Sequence, residues 1–194
     1  MIHVGSRLCV ASYRDPVLSA DDILVLIRPS TAFGDGNHAT TQMCLEMLEC
    51  EIGGGELVLD LGTGSGVLAI AAARLGARKV IAVDTARHAC KAASVNIPTN
   101  DVEQTVHVLH GSVEALHPDK IFDVIVTNLY NAEQVRAVLP EIARRVRGRG
   151  MLICGGIWMR RDEEMIRLLA DEHFAVRTRR TMDDYVTIAA VKEA

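Results

Sequence analysis

From residue 56 onward, short apolar runs alternate with longer stretches in which apolar residues recur every three or four positions, the pattern of strands feeding helices in a parallel sheet. "ELVLDLG" (56–62) reads as a first strand and "SGVLAIAAARLGA" (65–77) as its helix, with a glycine stop at Gly76. "KVIAVD" (79–84) repeats the strand signal and ends in an acid, and "ARHACKAASVNI" (86–97) is a helix that Pro98 should stop. "TVHVLHG" (105–111) alternates as a third strand, "FDVIVTN" (122–128) is apolar enough to be central, and "MLICGG" (151–156) is a fifth. Between the last two, "AEQVRAVLPEIARRVR" (132–147) has helical spacing, with Pro140 expected to kink or shorten it. "RRDEEMIRLLADE" (160–172) is a further helix. "HFAVRTRRT" and "YVTIAAVKE" leave no room for a helix between them, which predicts an antiparallel hairpin on the sheet edge.

Five parallel strands plus a terminal hairpin make a seven-stranded, Rossmann-like α/β sheet. Ahead of it, "SRLCVAS" and "DDILVLIRP" resemble two strands of a small N-terminal β-element. The expected organisation is one domain over 1–194, with the β-element in 1–30 and the core in 31–194. No internal repeat or low-complexity tract interrupts it.

Composition narrows the class further. At 194 residues and 49% apolar content the chain can bury a sizeable core, and a net charge of -4 gives no reason to expect nucleic acid or an anionic membrane as partner. Cys9, Cys44, Cys50, Cys90 and Cys154 are scattered, odd in number and without CxxC or metal-ligand spacing, so reduced structural thiols and no metal are expected. There is no basic leader followed by an apolar run, and no apolar stretch of the roughly 18 residues a span needs, so a cytoplasmic location is the default. Nothing in the sequence speaks to oligomeric state.

"LDLGTGSG" places Gly62, Gly64 and Gly66 at alternate positions between a strand and a helix. Such a turn lets a ligand lie against the main chain, and the helix start offers free N–H groups. Asp84, at the end of the second strand, is placed to accept both ribose hydroxyls of a nucleoside. An adenosine-containing ligand follows from the pair. The dinucleotide pattern GxGxxG would need glycine at 67, where the chain has Val67, and the GxGxG spacing favours S-adenosyl-L-methionine (SAM) over NAD.

Other positions have two readings each. Asp60, just before the glycine turn, either helps hold the ammonium of a methionine moiety or caps the next helix. Ser112 and Val113 follow the third strand where adenine would lie, though Ser112 is also an ordinary turn residue. Asn128 ends the fourth strand beside the point where ligands gather in such sheets, and is the candidate to face a transferred methyl. Upstream, "AFGDGNHATT" (32–41) is either a plain turn with a helix started by Asn37, Thr40 or Thr41, or part of the pocket.

With "IRPSTAFGDGNHATT", "LDLGTGSGVLAIAAARLGA", "AVD", "TNLY" and "MDDYVTIAAVK" in that order, the chain resembles the catalytic domain of the PrmA-type ribosomal protein methyltransferases, from about Arg7 to the C-terminus. The resemblance implies a class I methyltransferase sheet, SAM as cofactor and a protein lysine as acceptor. It likens Thr41 to the family's cofactor-contacting threonine, Gly62 to its first motif glycine, Asp84 to its ribose-binding acid and Asn128 to its polar residue near the methyl donor. Phe33 and His38 also match the loop and are expected at the cofactor site, which implies that the loop folds over the methionine end of SAM. Departures are Asp35 for a small hydroxyl residue, Ala39 for proline, and Ala86 and Arg87 for the Asp-Pro after the ribose-binding acid. Asp35 would add a carboxylate near a positively charged cofactor. The family's separate N-terminal recruiting domain is not in this stretch, which fits a truncated chain, a stand-alone relative with another substrate, or one that borrows a partner.

For the chemistry, Asn128 and nearby backbone carbonyls are expected to orient an acceptor amine, with Tyr130 lining its site; no general base stands out. A small-molecule N- or O-methyltransferase, with Trp158, Met159 and the β-element as its wall, is the alternative. Nucleic-acid base methylation would use "TNLY" and the arginines at 144–149 and 177–180, but the Asn-Pro-Pro-Tyr form of that motif is absent. A non-catalytic SAM-binding subunit would keep Gly62 and Asp84 and lose turnover.

Overall fold

The structure, a computed structural model, describes residues 1–12, 18–129 and 131–194. It opens with a three-stranded sheet, β1 (Ile2–Val4), β2 (Leu8–Ala11) and β3 (Ile23–Leu26), in which β2 is antiparallel to β1 and parallel to β3. The hydrophobic pattern predicts two strands here. β1 escapes it because three residues are too few for alternation to register.

The chain continues through α1 (Ala39–Glu51), β4 (Leu57–Leu61), α2 (Val67–Arg74), β5 (Lys79–Asp84), α3 (Arg87–Thr99), β6 (Val106–His110), β7 (Phe122–Asn128) and α4 (Ala132–Arg145). It closes with β8 (Val146–Trp158), α5 (Asp162–Asp171), β9 (Phe174–Met182) and β10 (Tyr185–Lys192). The strands from β4 onward form one seven-stranded sheet in the order β6-β5-β4-β7-β8-β10-β9. The Rossmann-like α/β architecture, the terminal hairpin and the small N-terminal β-element are all present. The hairpin lies with β10 inserted between β8 and β9, antiparallel to both, so that β9 forms one edge of the sheet and β6 the other.

Alternation along the strands explains the two-faced core. Leu57, Leu59 and Leu61 of β4, with Ile125, Leu152 and Ile188, pack under α4 and α5; Val58, Val80, Val126 and Ile153 pack against α1, α2 and the N-terminal sheet. One strand therefore serves two layers, which is why β4 and β7 read as continuous apolar runs. The sheet order reverses at β4, with β5 on one side and β7 on the other, and this switch point opens a crevice at the strands' carboxyl ends.

Both prolines depart from expectation. α3 runs through Pro98 to Thr99, because a proline in the last turn removes a single hydrogen bond. α4 is continuous across Pro140, whose position is exposed and therefore open to water. Its start is set by Asn131, whose side chain accepts from the Gln134 N–H at 2.9 Å. β8 is longer than the apolar run 151–156, since "VRGRG" extends it with irregular pairing to β7. Among the described residues no helix is long and apolar enough to cross a membrane.

Candidate active site

The switch-point crevice is a cleft of about 540 Å³, within the size range of small-ligand and cofactor sites. Phe33, His38, Gly62, Gly64, Asp84, Ser112, Val113 and Asn128 all line it. Residues spread over nearly a hundred positions are thus brought to one cavity. Thr41, Asp60 and Gly66 are not among the lining residues, and Tyr130 lies outside the described residues.

The glycine turn is held from both sides. Asp84 reaches back across it: Oδ2 accepts from the Gly64 N–H at 3.0 Å while Oδ1 accepts from the Ala86 N–H at 2.8 Å. The upstream loop closes the other side. Ser65 donates its N–H to the Phe33 carbonyl at 2.8 Å and its hydroxyl to the Gly34 carbonyl at 2.5 Å. Gly64 has φ +56°, and a Cβ there would stand 2.5 Å from the Phe33 carbonyl oxygen, so no side chain fits. "AFGDGNHATT" is therefore bonded onto the glycine turn rather than lying apart from it.

Within that loop, His38 is the N-cap of α1; its Nδ1 accepts from the Thr40 N–H at 3.3 Å and sits 2.9 Å from the Thr40 hydroxyl. The start that the sequence assigns to Asn37, Thr40 or Thr41 thus falls to a histidine, an uncommon cap whose ring nitrogen does the work of a side-chain oxygen. Thr41 is fully buried, and its Oγ1 lies 3.4 Å from Asn128 Nδ2, the donor. Its role here is support of Asn128. Asp35 does not line the main cleft: it accepts from the Asn37 N–H and side-chain amide at 3.0 and 2.7 Å and borders a second, smaller cleft with Arg28. Those bonds hold its carboxyl below the usual range, the Asn37 side chain contributing most. The expected encounter of Asp35 with a cationic cofactor is not what the loop geometry produces.

Asp60 is fully buried at the end of β4, where Oδ2 accepts from the Thr63 hydroxyl at 2.6 Å and from the Ala69 N–H at 3.1 Å. The second contact satisfies a free amide in the first turn of α2, so the capping reading describes this oxygen. Oδ1, by contrast, is buried with no partner. Burial pushes the carboxyl up to about 7, and the charge of Asp84 pushes the same way against those two hydrogen bonds. Gly66 is the left-handed N-cap of α2 and packs against Ala93.

The far half of the cleft is aromatic. Phe33 and His38 meet edge-on with ring centroids 5.2 Å apart, His38 meets Tyr185 at 4.9 Å, and Tyr185 meets Trp158 at 4.6 Å. Arg160 lies over the Trp158 ring at 5.6 Å. Trp158 and Tyr185 are cross-strand partners of β8 and β10, which brings them together across 27 residues of sequence. Asn128 stands between the two halves. Gly155 and Gly156 leave room for it: a Cβ on Gly155 would be 2.9 Å from Asn128 Oδ1, and one on Gly156 only 1.7 Å from the Leu129 carbonyl oxygen.

Tyr185, His88 and Gly156 also line the cleft and carry no sequence signal that singles them out; Thr40 lines it too, and the sequence marks it only as a candidate helix start. Asn96 is a further residue that sequence reasoning misses. Fully enclosed, it donates to the Ser65 carbonyl at 2.8 Å and accepts from the Arg28 N–H at 3.0 Å, joining α3, the glycine turn and the β-element.

These residues fit SAM: the glycine cradle admits a ligand against the backbone, and Asp84 faces the cleft beside it.

The chain matches the family model described as ribosomal protein L11 methyltransferase (PrmA) over residues 2–193. Curated relatives include the ribosomal protein L11 methyltransferases of Desulforamulus reducens, 36% identical over 99% of this chain and 62% of the relative, and of Pelobacter propionicus, 37% identical over 96% and 62%. The chain thus spans a little over three fifths of the length of these relatives. Among solved structures, the ribosomal protein L11 methylase of Lactobacillus delbrueckii subsp. bulgaricus superposes with a TM-score of 0.84 at 30% identity, over 93% of this chain and 91% of that one. A Thermus thermophilus 16S rRNA N2 G1207 methyltransferase, solved with AdoMet and guanosine, shares the fold at 24% identity and a TM-score of 0.69, over 84% of this chain and 45% of that one. With nearly its whole length matched by the family model and by these relatives, the chain belongs to the ribosomal protein L11 methyltransferase (PrmA) family.

Proposed function

We propose that this chain is the catalytic domain of a SAM-dependent methyltransferase that N-methylates a protein amine, a lysine of a ribosomal protein. The observation that carries the reading is the two-part cleft: a nucleoside-binding half built from Gly62, Gly64, Asp84, Ser112 and Val113 continues into an aromatic half at Asn128. The curated relatives are named for ribosomal protein L11, which supplies the acceptor class.

In this reading Asp84 accepts the ribose hydroxyls, the Gly62–Gly64 backbone lies against the cofactor, Ser112 and Val113 border the adenine, and Asp60 holds the glycine turn from behind through Thr63 and Ala69. When bound, SAM supplies a methyl group on a positively charged sulfur. A lysine with a pKa near 10.4 is neutral in roughly one copy per few thousand at pH 7, so the site must favour the neutral amine. Desolvation between Trp158, Tyr185 and His38 works in that direction. With Asn128 Nδ2 engaged by Thr41, Oδ1 is left to accept an amine N–H and aim the lone pair. Phe33 and His38 wall the passage between the halves.

Labelled SAM incubated with ribosomal proteins, a lysine peptide library and a metabolite extract tests the proposal. Label in a ribosomal protein lysine is the expected result. Label in a metabolite alone would reject the protein acceptor in favour of a small-molecule enzyme, and SAM binding without transfer to any of the three would favour a non-catalytic subunit.

A further inference from the structure

The N-terminal sheet carries a side-chain cluster that the methyl-transfer reading does not use. His3 and Cys9 are cross-strand partners on β1 and β2, with Cys9 Sγ 3.0 Å from His3 Nδ1. Asp22 immediately precedes β3, two residues from Leu24, the β3 partner of Cys9, so its side chain shares the Cys9 face. The three potential ligand atoms lie within 4.8 Å of one another. None of the three residues lines the cleft.

Cys9 is placed unlike a core cysteine. Its neighbours Leu8 and Val10 belong to the main apolar cluster, whereas Cys9 is fully buried on the opposite face and belongs to neither cluster. What accompanies it is an imidazole and a carboxylate. Asp22 Oδ2 accepts from the Ser19 N–H at 2.7 Å, which orients the carboxylate as an outer-shell bond does at a metal site.

We propose that His3, Cys9 and Asp22 bind a zinc-like divalent cation through Nδ1, Sγ and a carboxylate oxygen, with water in the fourth position. The donor set of nitrogen, sulfur and oxygen suits Zn²⁺ and excludes Mg²⁺ and Ca²⁺, which take oxygen ligands. Tetrahedral zinc, with bonds of about 2.0–2.3 Å, needs ligand atoms about 3.3–3.8 Å apart, so the cluster reaches that geometry with small side-chain adjustments. Binding releases the thiol proton to solvent. The bound ion joins β1, β2 and the turn that leads into β3 of the N-terminal sheet. That sheet is fastened to the core through Glu49, which accepts from the Ser6 N–H at 2.7 Å and the Arg7 N–H at 2.8 Å. It is fastened again through Asn100, which exchanges hydrogen bonds with the Leu26 backbone at 2.7 and 2.8 Å.

The sequence offers no warning of this site because its ligands come from β1, β2 and the turn before β3, not from a short repeat such as CxxC. The test is titration of the whole chain, stripped with EDTA and kept reduced, with Co²⁺. The expected result is one equivalent bound with a thiolate-to-cobalt charge-transfer band in the near ultraviolet, displaced by one equivalent of Zn²⁺. Cys9→Ser abolishes the band, His3→Ala and Asp22→Asn weaken binding at least tenfold, and Cys50→Ser, at the exposed cysteine, changes nothing. No charge-transfer band in the unaltered protein under excess Co²⁺ overturns the proposal, and so does a band that survives His3→Ala or Cys9→Ser at full strength. Circular dichroism of each variant separates lost binding from lost folding.

Discussion

The two halves of the cleft are built in different ways. The half around the glycine turn is assembled from neighbours in sequence: the glycine turn, α2 and Asp84 lie within about two dozen residues of the buried Asp60 behind them, and hydrogen bonds among them hold the turn. The aromatic half draws Phe33 and His38 from the upstream loop, Trp158 from the end of β8 and Tyr185 from the start of β10. Local construction suits a constant ligand. A rim assembled by sheet pairing can change one residue without disturbing the cradle. Substitutions in the first half should therefore strike SAM binding, and those in the second should strike the acceptor.

The most severe break is Gly64→Val. A β-branched residue at φ +56° is strained in itself, and its Cβ would meet the Phe33 carbonyl oxygen at 2.5 Å. Both the glycine turn and the 33–38 loop must move. Calorimetry should find no SAM binding, while circular dichroism retains the sheet; binding within tenfold of the unaltered chain would mean that the cradle is not where the ligand lies.

Asp60 sharpens the comparison through pH. Its folded-state value of about 7 lies above the ordinary carboxyl value of 3.8. Between these values the folded chain keeps a proton that the unfolded chain has lost. Stability from this group is therefore present in acid and lost as pH rises to about 7, amounting to about 4 kcal/mol at most. Asp60→Asn should remove that slope, as read by urea unfolding from pH 4.5 to 8.

How much of this was legible follows from the same contrast. The parallel strands, the glycine turn and Asp84 could be read from runs of consecutive residues, because each depends on local spacing. Tyr185 could not, since its place beside Trp158 follows from β10 inserting between β8 and β9, a pairing chosen by the whole sheet. Asn96 was hidden for a related reason: on a helix it looks like a surface residue, and only the docked β-element gives it partners. Pro98 and Pro140 misled in the other direction, for a helix end and an exposed face tolerate a missing donor that a buried helix centre would not.

Asn128 lies at the junction and should show a mixed signature. Asn128→Ala removes the acceptor for the amine and leaves the Thr41 hydroxyl without its partner. We expect kcat to fall about 100-fold, the scale of a misaligned reacting pair, with a change in SAM affinity of less than tenfold. Steady-state kinetics beside calorimetry separates the two. Full transfer at saturating SAM would remove Asn128 from the chemistry.

The smallest expected effect is the most informative about the acceptor. Trp158 is 37% exposed, packs on Tyr185 at 4.6 Å and carries Arg160 over its ring at 5.6 Å. A lysine stem entering beside it gains apolar contact and a cation–π attraction before the amine loses its proton, together about 1–2 kcal/mol. Trp158→Ala should raise the KM for a protein acceptor about tenfold, and Trp158→Phe should restore most of it. SAM affinity should not move, because the contacts of the ring are with Tyr185 and Arg160, in the aromatic half. An equal loss of SAM binding would show that the halves are coupled through Tyr185 and His38, and the separation between a locally written cradle and a topologically assembled rim would fail at the one residue where it is easiest to test.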